Sequence, residues 1–194
     1  MTVLRELTKE EIEIIYKEHL VNDFPVEEQK PLAFLLDLYD KGLYPCYGMF
    51  EENTLVAYAF LVKTREDSFL LMDYYATVKA YRSGGYGSRF LSLLKEHCTK
   101  ESGILFEVES GAYEKGEAKE ICRRRISFYE RNGLRMTKLW LVLFTVDMHV
   151  MYLPLKEESI SDEALLKKLD HIYQTMFPIE MYEKNIMLKD VREA

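Results

Sequence analysis

Cysteine is scarce in this chain, and its pattern excludes two kinds of covalent stabilisation. The 194 residues contain three cysteines, Cys46, Cys98 and Cys122, which are odd in number and widely spaced. A disulfide framework needs cysteines in pairs, and a zinc site needs cysteines and histidines at short, repeated spacings. We therefore expect neither disulfides nor a metal centre, and we expect a reducing location, the cytoplasm.

Long apolar runs and excess basic charge are also missing. The apolar runs end well before the ~20 residues that a membrane-spanning helix needs. The N-terminal residues become charged too soon for a signal peptide. With 26 basic and 33 acidic side chains the net charge is -7, whereas nucleic-acid-binding domains normally carry a basic face. We therefore expect no membrane and no nucleic acid as partners, while a cationic small substrate is compatible with this charge.

The composition that is present describes a soluble globular protein. Hydrophobic residues make up 48% of the chain and charged residues 30%, which is enough apolar material for a sizeable core. We expect one domain over residues 1–155, with residues 156–194 as a C-terminal helix and tail packed on it. Ser161 is predicted to cap that helix. From Pro178 onward we expect a loop or a loosely docked tail.

A strand, a glycine-rich turn and a helix follow one another in the middle of the chain. Residues 69–77 are apolar and aromatic and are predicted to form a strand; residues 78–88 contain the glycines. The next apolar residues share one helical face; they are Phe90, Leu91, Leu94 and Cys98. This junction turns backbone N–H groups toward a helix N-terminus, which suits the phosphates of a nucleotide-like ligand. A tight turn without a ligand is the alternative.

The remaining pattern predicts an α/β (α+β) fold, with helices flanking a mixed, mainly antiparallel central sheet. Thr8 and Glu11 form a capping-box signature at the start of a first helix. A second helix is predicted from about Glu27. Short connections between successive strands favour antiparallel neighbours, and the helix after the glycine-rich turn indicates one parallel crossover.

Three segments resemble the GNAT acetyltransferase superfamily. Residues 82–87, Arg-Ser-Gly-Gly-Tyr-Gly, are similar to its acyl-CoA loop motif, Arg/Gln-x-x-Gly-x-Gly/Ala. The approach to this motif is also similar, with Ala80 where proline is common. Residues 128–134 resemble the Phe-Tyr-Glu-Arg-x-Gly-Phe signature of a later helix. The resemblance covers roughly residues 1 to 155, and it implies a GNAT-like sheet and acetyl-CoA as co-substrate.

The donor site follows from the resemblance together with the chemistry of the loop. Backbone N–H groups of the loop would hold the pyrophosphate, Arg82 would add a charge-assisted contact, and the end of the strand would bond the pantetheine amides. One N–H group there would polarise the thioester carbonyl. The predicted cofactor-binding residues are Thr77, Val78, Arg82, Ser83, Gly84, Gly85, Tyr86, Gly87 and Ser88.

Two proton transfers define the predicted catalytic residues. An amine acceptor with a pKa near ~10.4 must lose a proton, and Asp73, Glu107 and Glu109 are the candidate bases. Glu109 is preferred because it lies at a strand end, beside a polar loop predicted at 110–117. By resemblance, Tyr129 is the general acid for the CoA thiolate. A solvated or paired carboxylate and a core tyrosine are the structural alternatives.

The expected function is an N-acetyltransferase acting on a primary amine of a small molecule or peptide, without a metal or a covalent intermediate. A non-catalytic acyl-CoA-binding sensor or interaction domain on the same fold is the alternative. A Rossmann-type enzyme fits poorly, because the glycines do not follow Gly-x-Gly-x-x-Gly. For the C-terminal helix the sequence leaves three roles open: a lid, a homodimer contact or part of the core.

Overall fold

The computed structural model describes residues 1–109, 116–156 and 160–190, with the backbone alone for the last two residues. Within these ranges, no helix combines the length and the apolar character that crossing a membrane requires. The helices are α1 (Lys9–Ile15), α2 (Val21–Asp23), α3 (Leu32–Asp40), α4 (Tyr86–His97), α5 (Gly116–Arg131), α6 (Asp162–Met176) and α7 (Ile179–Asn185).

The strands form one eight-stranded sheet in the order β1-β2-β3-β4-β5-β7-β6-β8. Their bounds are β1 (Thr2–Glu6), β2 (Cys46–Glu51), β3 (Thr54–Lys63), β4 (Phe69–Thr77), β5 (Gly103–Glu109), β6 (Arg135–Leu143), β7 (Val146–Pro154) and β8 (Ile186–Asp190). β4 and β5 are parallel, whereas β1–β2, β2–β3, β5–β7, β6–β7 and β6–β8 are antiparallel. The predicted mixed, mainly antiparallel sheet is confirmed.

The described chain divides into two compact units. The first contains Met1–Arg65 and Asp73–His97; the second contains Glu66–Met72 and the chain from Cys98 onward. β4 therefore supplies residues to both units. The sequence-based division into residues 1–155 and 156–194 stays a prediction.

In the first unit, α1 begins at the predicted capping box. The Glu11 N–H donates to the Thr8 hydroxyl oxygen at 3.3 Å, and the Thr8 N–H donates to the Glu11 carboxylate at 2.9 Å. Both otherwise unpaired N–H groups of the helix start are thereby satisfied. A π-helical turn, Tyr16–Leu20, continues this helix into α2. The capping-box prediction is confirmed.

The second predicted helix starts later than expected. Its helical part begins at Leu32, after a single 3-10 turn at Val26–Glu28, so the predicted start near Glu27 is wrong. Pro31 is the reason: proline has no N–H group to donate and disfavours a helical residue before it. The helix starts directly after Pro31, because the N–H groups of Phe34 and Leu35 donate to the Pro31 carbonyl, at 2.9 and 3.2 Å.

The second unit contains a hairpin with an unusual turn. β6 and β7 are joined through Phe144 and Thr145, which both have positive φ, 47° and 83°. Such turns usually contain Asn and Gly, since a left-handed backbone is unfavourable for bulky side chains such as Phe and for β-branched ones such as Thr. The Phe144 N–H donates to the Asn185 carbonyl at 2.9 Å, and its ring packs on Phe177 with centroids 5.9 Å apart. These contacts hold a turn that its residues do not favour.

The predicted loop or loosely docked tail after Pro178 is wrong. The chain forms α7, in which the Met181 N–H donates to the Pro178 carbonyl at 2.9 Å. It then forms β8, which pairs with β6 from Ile186↔Leu143 to Asp190↔Leu139. A strand of five residues carries little periodic signal of its own. Its pairing with β6 therefore decides the structure.

Candidate active site

The glycine-rich turn joins the end of β4 to the start of α4. After Thr77 the chain makes a 3-10 turn, Lys79–Tyr81, and then a tight turn through Arg82–Gly85. Ser83 and Gly85 have φ of 64° and 79°. Glycine adopts this left-handed backbone at little cost, and a Cβ built on Gly85 would have no heavy atom within 4 Å. The loop is therefore open to an approaching ligand at this residue.

The first turn of α4 adds N–H donors to the same loop. The Arg89 N–H donates to the Gly85 carbonyl at 3.1 Å and closes the first helical turn. The N–H groups immediately before it have no acceptor inside the helix, and the helix dipole places partial positive charge there. Because residues Arg82–Gly85 are exposed, the arrangement suits a polyanion such as a pyrophosphate.

Side chains from neighbouring strands fix this helix start. The Tyr75 hydroxyl donates to the Gly87 carbonyl at 2.7 Å, and its ring lies 5.2 Å from that of Phe90. The Tyr86 hydroxyl donates to the Glu51 carboxylate on β2. The loop is therefore held on both sides of its glycines, so its N–H groups point in fixed directions.

The two residues predicted to bind the pantetheine arm face opposite sides of β4. The Val78 N–H donates to the Val56 carbonyl on β3, with N and O 3.0 Å apart. Successive peptide groups of an extended chain point to opposite sides, so the N–H and C=O of Thr77 point away from β3. The Thr77 carbonyl accepts a hydrogen bond from Arg82 Nε at 3.2 Å. The Thr77 N–H is therefore the group that an added extended ligand would meet, whereas the Val78 N–H is engaged within the protein.

Arg82, predicted to contact the cofactor, is bonded within the first unit. Its Nε donates to the Thr77 carbonyl at 3.2 Å, and one terminal nitrogen donates to the Asp23 carboxylate at 2.6 Å. These bonds use two of the five N–H donors of the guanidinium. Its side chain is 51% exposed. The predicted phosphate contact stays a prediction.

The predicted acid and base lie on α5 and β5 of the second unit, where one cluster connects them. Arg125 lies 3.5 Å from the Glu109 carboxylate, and the Cys122 thiol donates to the same carboxylate at 3.5 Å. The Tyr129 ring packs on Phe106, with centroids 5.2 Å apart. Burial raises the pKa of Tyr129 to about 12, and the positive charge of Arg125 opposes that rise. The hydroxyl is therefore protonated at neutral pH.

The other candidate bases differ in their surroundings. The Asp73 side chain is 4% exposed and lies 2.7 Å from the Lys30 ammonium. It also accepts a hydrogen bond from the Tyr44 hydroxyl, and burial is the main cause that raises the Tyr44 pKa. Glu107 is half-buried on β5. Asp73 is therefore a satisfied, buried carboxylate, which favours a structural role over proton transfer.

The predicted polar loop at 110–117 lies mostly outside the described residues, which resume at Gly116 where α5 begins. Farther along α5, Arg123 and Arg124 both bond Glu120 at 2.8 and 3.0 Å. These two bonds lower the Glu120 pKa to about 2. The acceptor site expected around the loop at 110–117 lies mostly outside the described residues.

Sequence reasoning missed the partners of the charged groups in the first unit. Asp23 bonds Arg82 across 59 positions, and Lys30 bonds Asp73 across 43 positions. Neither separation has a local periodicity that would predict a contact. A weak signal was present, since carboxylates and lysines that are buried are almost always paired.

Comparisons with known proteins identify the family and the fold of the chain. A sequence model of the acetyltransferase (GNAT) family matches residues 10–133. A GNAT-family protein from Bacteroides thetaiotaomicron is similar at 25% identity, over 89% of this chain and 96% of its own, with a TM-score of 0.70. No curated protein sequence matches the chain.

Two more distant structures share the fold. The ribosomal-protein-S18-alanine N-acetyltransferase from Escherichia coli is 14% identical, over 82% of this chain and 97% of its own, with a TM-score of 0.58. A mutant spermidine N-acetyltransferase from Vibrio cholerae is 13% identical, over 79% of this chain and 94% of its own, with a TM-score of 0.60. At these identities the likeness concerns the fold alone.

Proposed function

The chain belongs to the acetyltransferase (GNAT) family, and from that premise we propose that it transfers the acetyl group of acetyl-CoA to a primary amine. The observation that carries the proposal is the glycine-rich turn, in which left-handed Ser83 and Gly85 lead into the start of α4. A ligand that carries a pyrophosphate and an amide-containing arm matches the donors of this turn and of the strand before it.

The donor-binding residues divide by the part of acetyl-CoA that they would hold. The N–H groups from Ser83 to Ser88 would bind the pyrophosphate, because they lie at the positive end of α4. The Thr77 N–H points away from β3 and would donate to a pantetheine amide carbonyl as an added strand does, while the Thr77 carbonyl is held by Arg82. Because the Val78 N–H is engaged by Val56, Thr77 is the better donor of the pair toward the thioester carbonyl.

Acetyl-CoA supplies the activated acetyl group, and the protein residues orient it and move protons. Glu109, with its side chain 36% exposed, would accept the proton of the acceptor amine directly or through water. Tyr129 would protonate the departing thiolate, since its raised pKa keeps the hydroxyl protonated at neutral pH. No covalent enzyme intermediate is required for this sequence of steps.

The acceptor that we propose is a cationic amine, such as a polyamine or an aminoglycoside. Residues 1–40 contain ten acidic and four basic side chains, so most of the net negative charge lies in the first unit's N-terminal helices. Glu10, Glu18 and Glu27 are exposed there. A surface of one sign raises the local concentration of ligands of the opposite sign.

The test is a thiol-release assay with acetyl-CoA against a panel of polyamines, aminoglycosides, neutral amines and peptides with a free N-terminus. We expect turnover with at least one amine and higher kcat/KM for the cationic members of the panel. Acetyl-CoA binding without turnover on any amine would favour the alternative, a non-catalytic acyl-CoA sensor. Absence of acetyl-CoA binding would refute both.

The loop assignment has a matched pair of variants. Gly85→Ala adds a Cβ to a left-handed residue of the loop, and Gly42→Ala adds one to a left-handed residue after α3; neither Cβ would meet an atom within 4 Å. Both substitutions carry about the same backbone strain, roughly 1–2 kcal/mol. We expect Gly85→Ala alone to weaken acetyl-CoA binding, by about tenfold or more. Equal dissociation constants for the two variants in titration calorimetry would contradict the assignment.

A further inference from the structure

Asp23 holds the side chain of Arg82 from a rigid position. The Asp23 side chain is 8% exposed although the arginine is half exposed, and its second carboxylate oxygen accepts a hydrogen bond from the Tyr58 hydroxyl at 3.0 Å. Tyr58 is fully buried on β3. A carboxylate with one oxygen on a buried hydroxyl and the other on a guanidinium has a fixed orientation.

The backbone around Asp23 is also fixed. The Gln29 side-chain amide donates to the carbonyls of Val21 and Phe24, at 3.1 and 2.8 Å. These carbonyls lie at the end of α2, where a helix has no internal donors for them. The Phe24 N–H donates in turn to the Leu20 carbonyl at 3.1 Å. Asp23 therefore stands on a capped helix end.

Arg82 links Asp23 to the end of β4, which precedes the glycine loop. Its Nε donates to the Thr77 carbonyl at 3.2 Å while a terminal nitrogen bonds Asp23 at 2.6 Å. A planar guanidinium held at two points orients the groups that it bonds. Arg82 thus holds the carbonyl side of the Thr77–Val78 peptide unit, whose N–H side bonds the Val56 carbonyl on β3.

We infer that Asp23 is a positioning residue for the acyl-CoA site: through Arg82 it fixes the Thr77 peptide group and the start of the glycine loop. The inference rests on the proposed function, because acetyl-CoA is the ligand whose binding is affected. Arg82 then contributes to acetyl-CoA binding chiefly by holding the backbone at Thr77. Its positive charge is balanced by the Asp23 carboxylate.

The test compares Asp23→Asn, Arg82→Gln and the double variant, in steady-state kinetics and in acetyl-CoA titration. Asparagine keeps the size of the side chain and removes the charge that holds the guanidinium. We expect Asp23→Asn to raise KM and Kd for acetyl-CoA by about tenfold, with kcat changed by less than about twofold. Because the two residues act as one unit, the double variant should bind no more weakly than Arg82→Gln.

Asp162→Asn is the matched control. Arg135 bonds Asp162 at 3.0 Å and the Ile160 carbonyl at 2.9 Å, and the second Asp162 oxygen accepts from the Lys138 N–H at 2.7 Å. This is the same arrangement of arginine, carboxylate and carbonyl, but in the second unit. We expect Asp162→Asn to lower stability while KM for acetyl-CoA stays unchanged.

Hydrogen exchange of the free protein gives a readout that needs no ligand. Asp23→Asn should speed exchange in the peptide that covers residues 77–89 and leave the rest of the first unit unaffected. If the wild type binds acetyl-CoA and Asp23→Asn binds it equally well, the inference fails and the proposed function stands. If the wild type does not bind acetyl-CoA, the proposed function fails and the inference fails with it.

Discussion

Replacing Lys30 by methionine tests whether Lys30 and Asp73 form a buried ion pair that stabilises the fold. The Lys30 ammonium lies 2.7 Å from Asp73, and the two side chains are 17% and 4% exposed. Methionine keeps most of the aliphatic volume and removes the positive charge. The Asp73 carboxylate would then remain buried without the ammonium, while the Tyr44 hydroxyl still donates a hydrogen bond to it. The perturbation therefore removes the charge of Lys30, which lies beside Asp73 and 5.1 Å from the centroid of the Tyr74 ring.

The size of the effect follows from burial. Removing one partner of a buried ion pair costs about 3–5 kcal/mol, because the remaining charge stays out of water without its counterion. Tyr44 still stabilises Asp73, and Lys30 keeps some exposure, so the lower end, about 3 kcal/mol, is expected. The double variant Lys30→Met/Asp73→Asn removes both charges. It should recover about 2 kcal/mol of that loss, since an amide costs much less to bury than a carboxylate.

The assay is urea unfolding followed by far-ultraviolet circular dichroism, with Lys41→Met as the matched control. Lys41 and Asp37 form an ion pair whose side chains are 55% and 57% exposed, so Lys41→Met should cost less than about 0.5 kcal/mol. A loss for Lys30→Met as small as the control's would refute the reasoning. So would a double variant that is no more stable than Lys30→Met, because the loss would then not come from the uncompensated carboxylate.

Two further predictions concern other groups. Tyr129→Phe should lower kcat by about 10²-fold with acetyl-CoA affinity unchanged; Tyr182→Phe in the same unit is its control, and unchanged turnover would remove Tyr129 from the mechanism. The hydrogen bond from Arg5 lowers the Glu11 pKa from 4.5 to about 2, so the charged carboxylate stabilises the fold above about pH 4.5 and less as pH falls toward 2. Glu11→Gln should therefore lower the free energy of unfolding by about 0.5–1 kcal/mol at neutral pH. That difference should shrink on acidification in urea unfolding; a constant difference would contradict the assignment.

Features that depend on neighbouring residues could be predicted from the sequence. Gly85 marks a left-handed position because glycine alone adopts it at little cost. The Thr8–Glu11 capping box and the Ser161 cap, whose oxygen accepts from the Ala164 N–H at 3.2 Å, fix two helix starts through contacts three positions apart. The family resemblance likewise rests on short motifs, at residues 82–87 and 128–134.

Features that depend on distant pairing could not be predicted. β8 forms because it pairs with β6, and five residues carry too little hydrophobic periodicity to predict a strand by themselves. The Phe144–Thr145 turn has residues that disfavour its backbone, so turn propensity gives no signal for the hairpin. In both cases tertiary contacts override the local preference.

Charge illustrates why the acceptor is harder to derive than the donor. The net charge of -7 suggests a cationic substrate, but it counts carboxylates regardless of their partners. Asp23 and Asp73 are buried and held by Arg82 and Lys30, so within the first unit their charge is largely balanced. The attraction of a cationic amine must then come from exposed carboxylates, whose positions only the fold defines. A donor site made of backbone N–H groups does not depend on how charged side chains are placed by the fold. A short sequence motif therefore predicts the donor site, whereas no motif predicts the acceptor site.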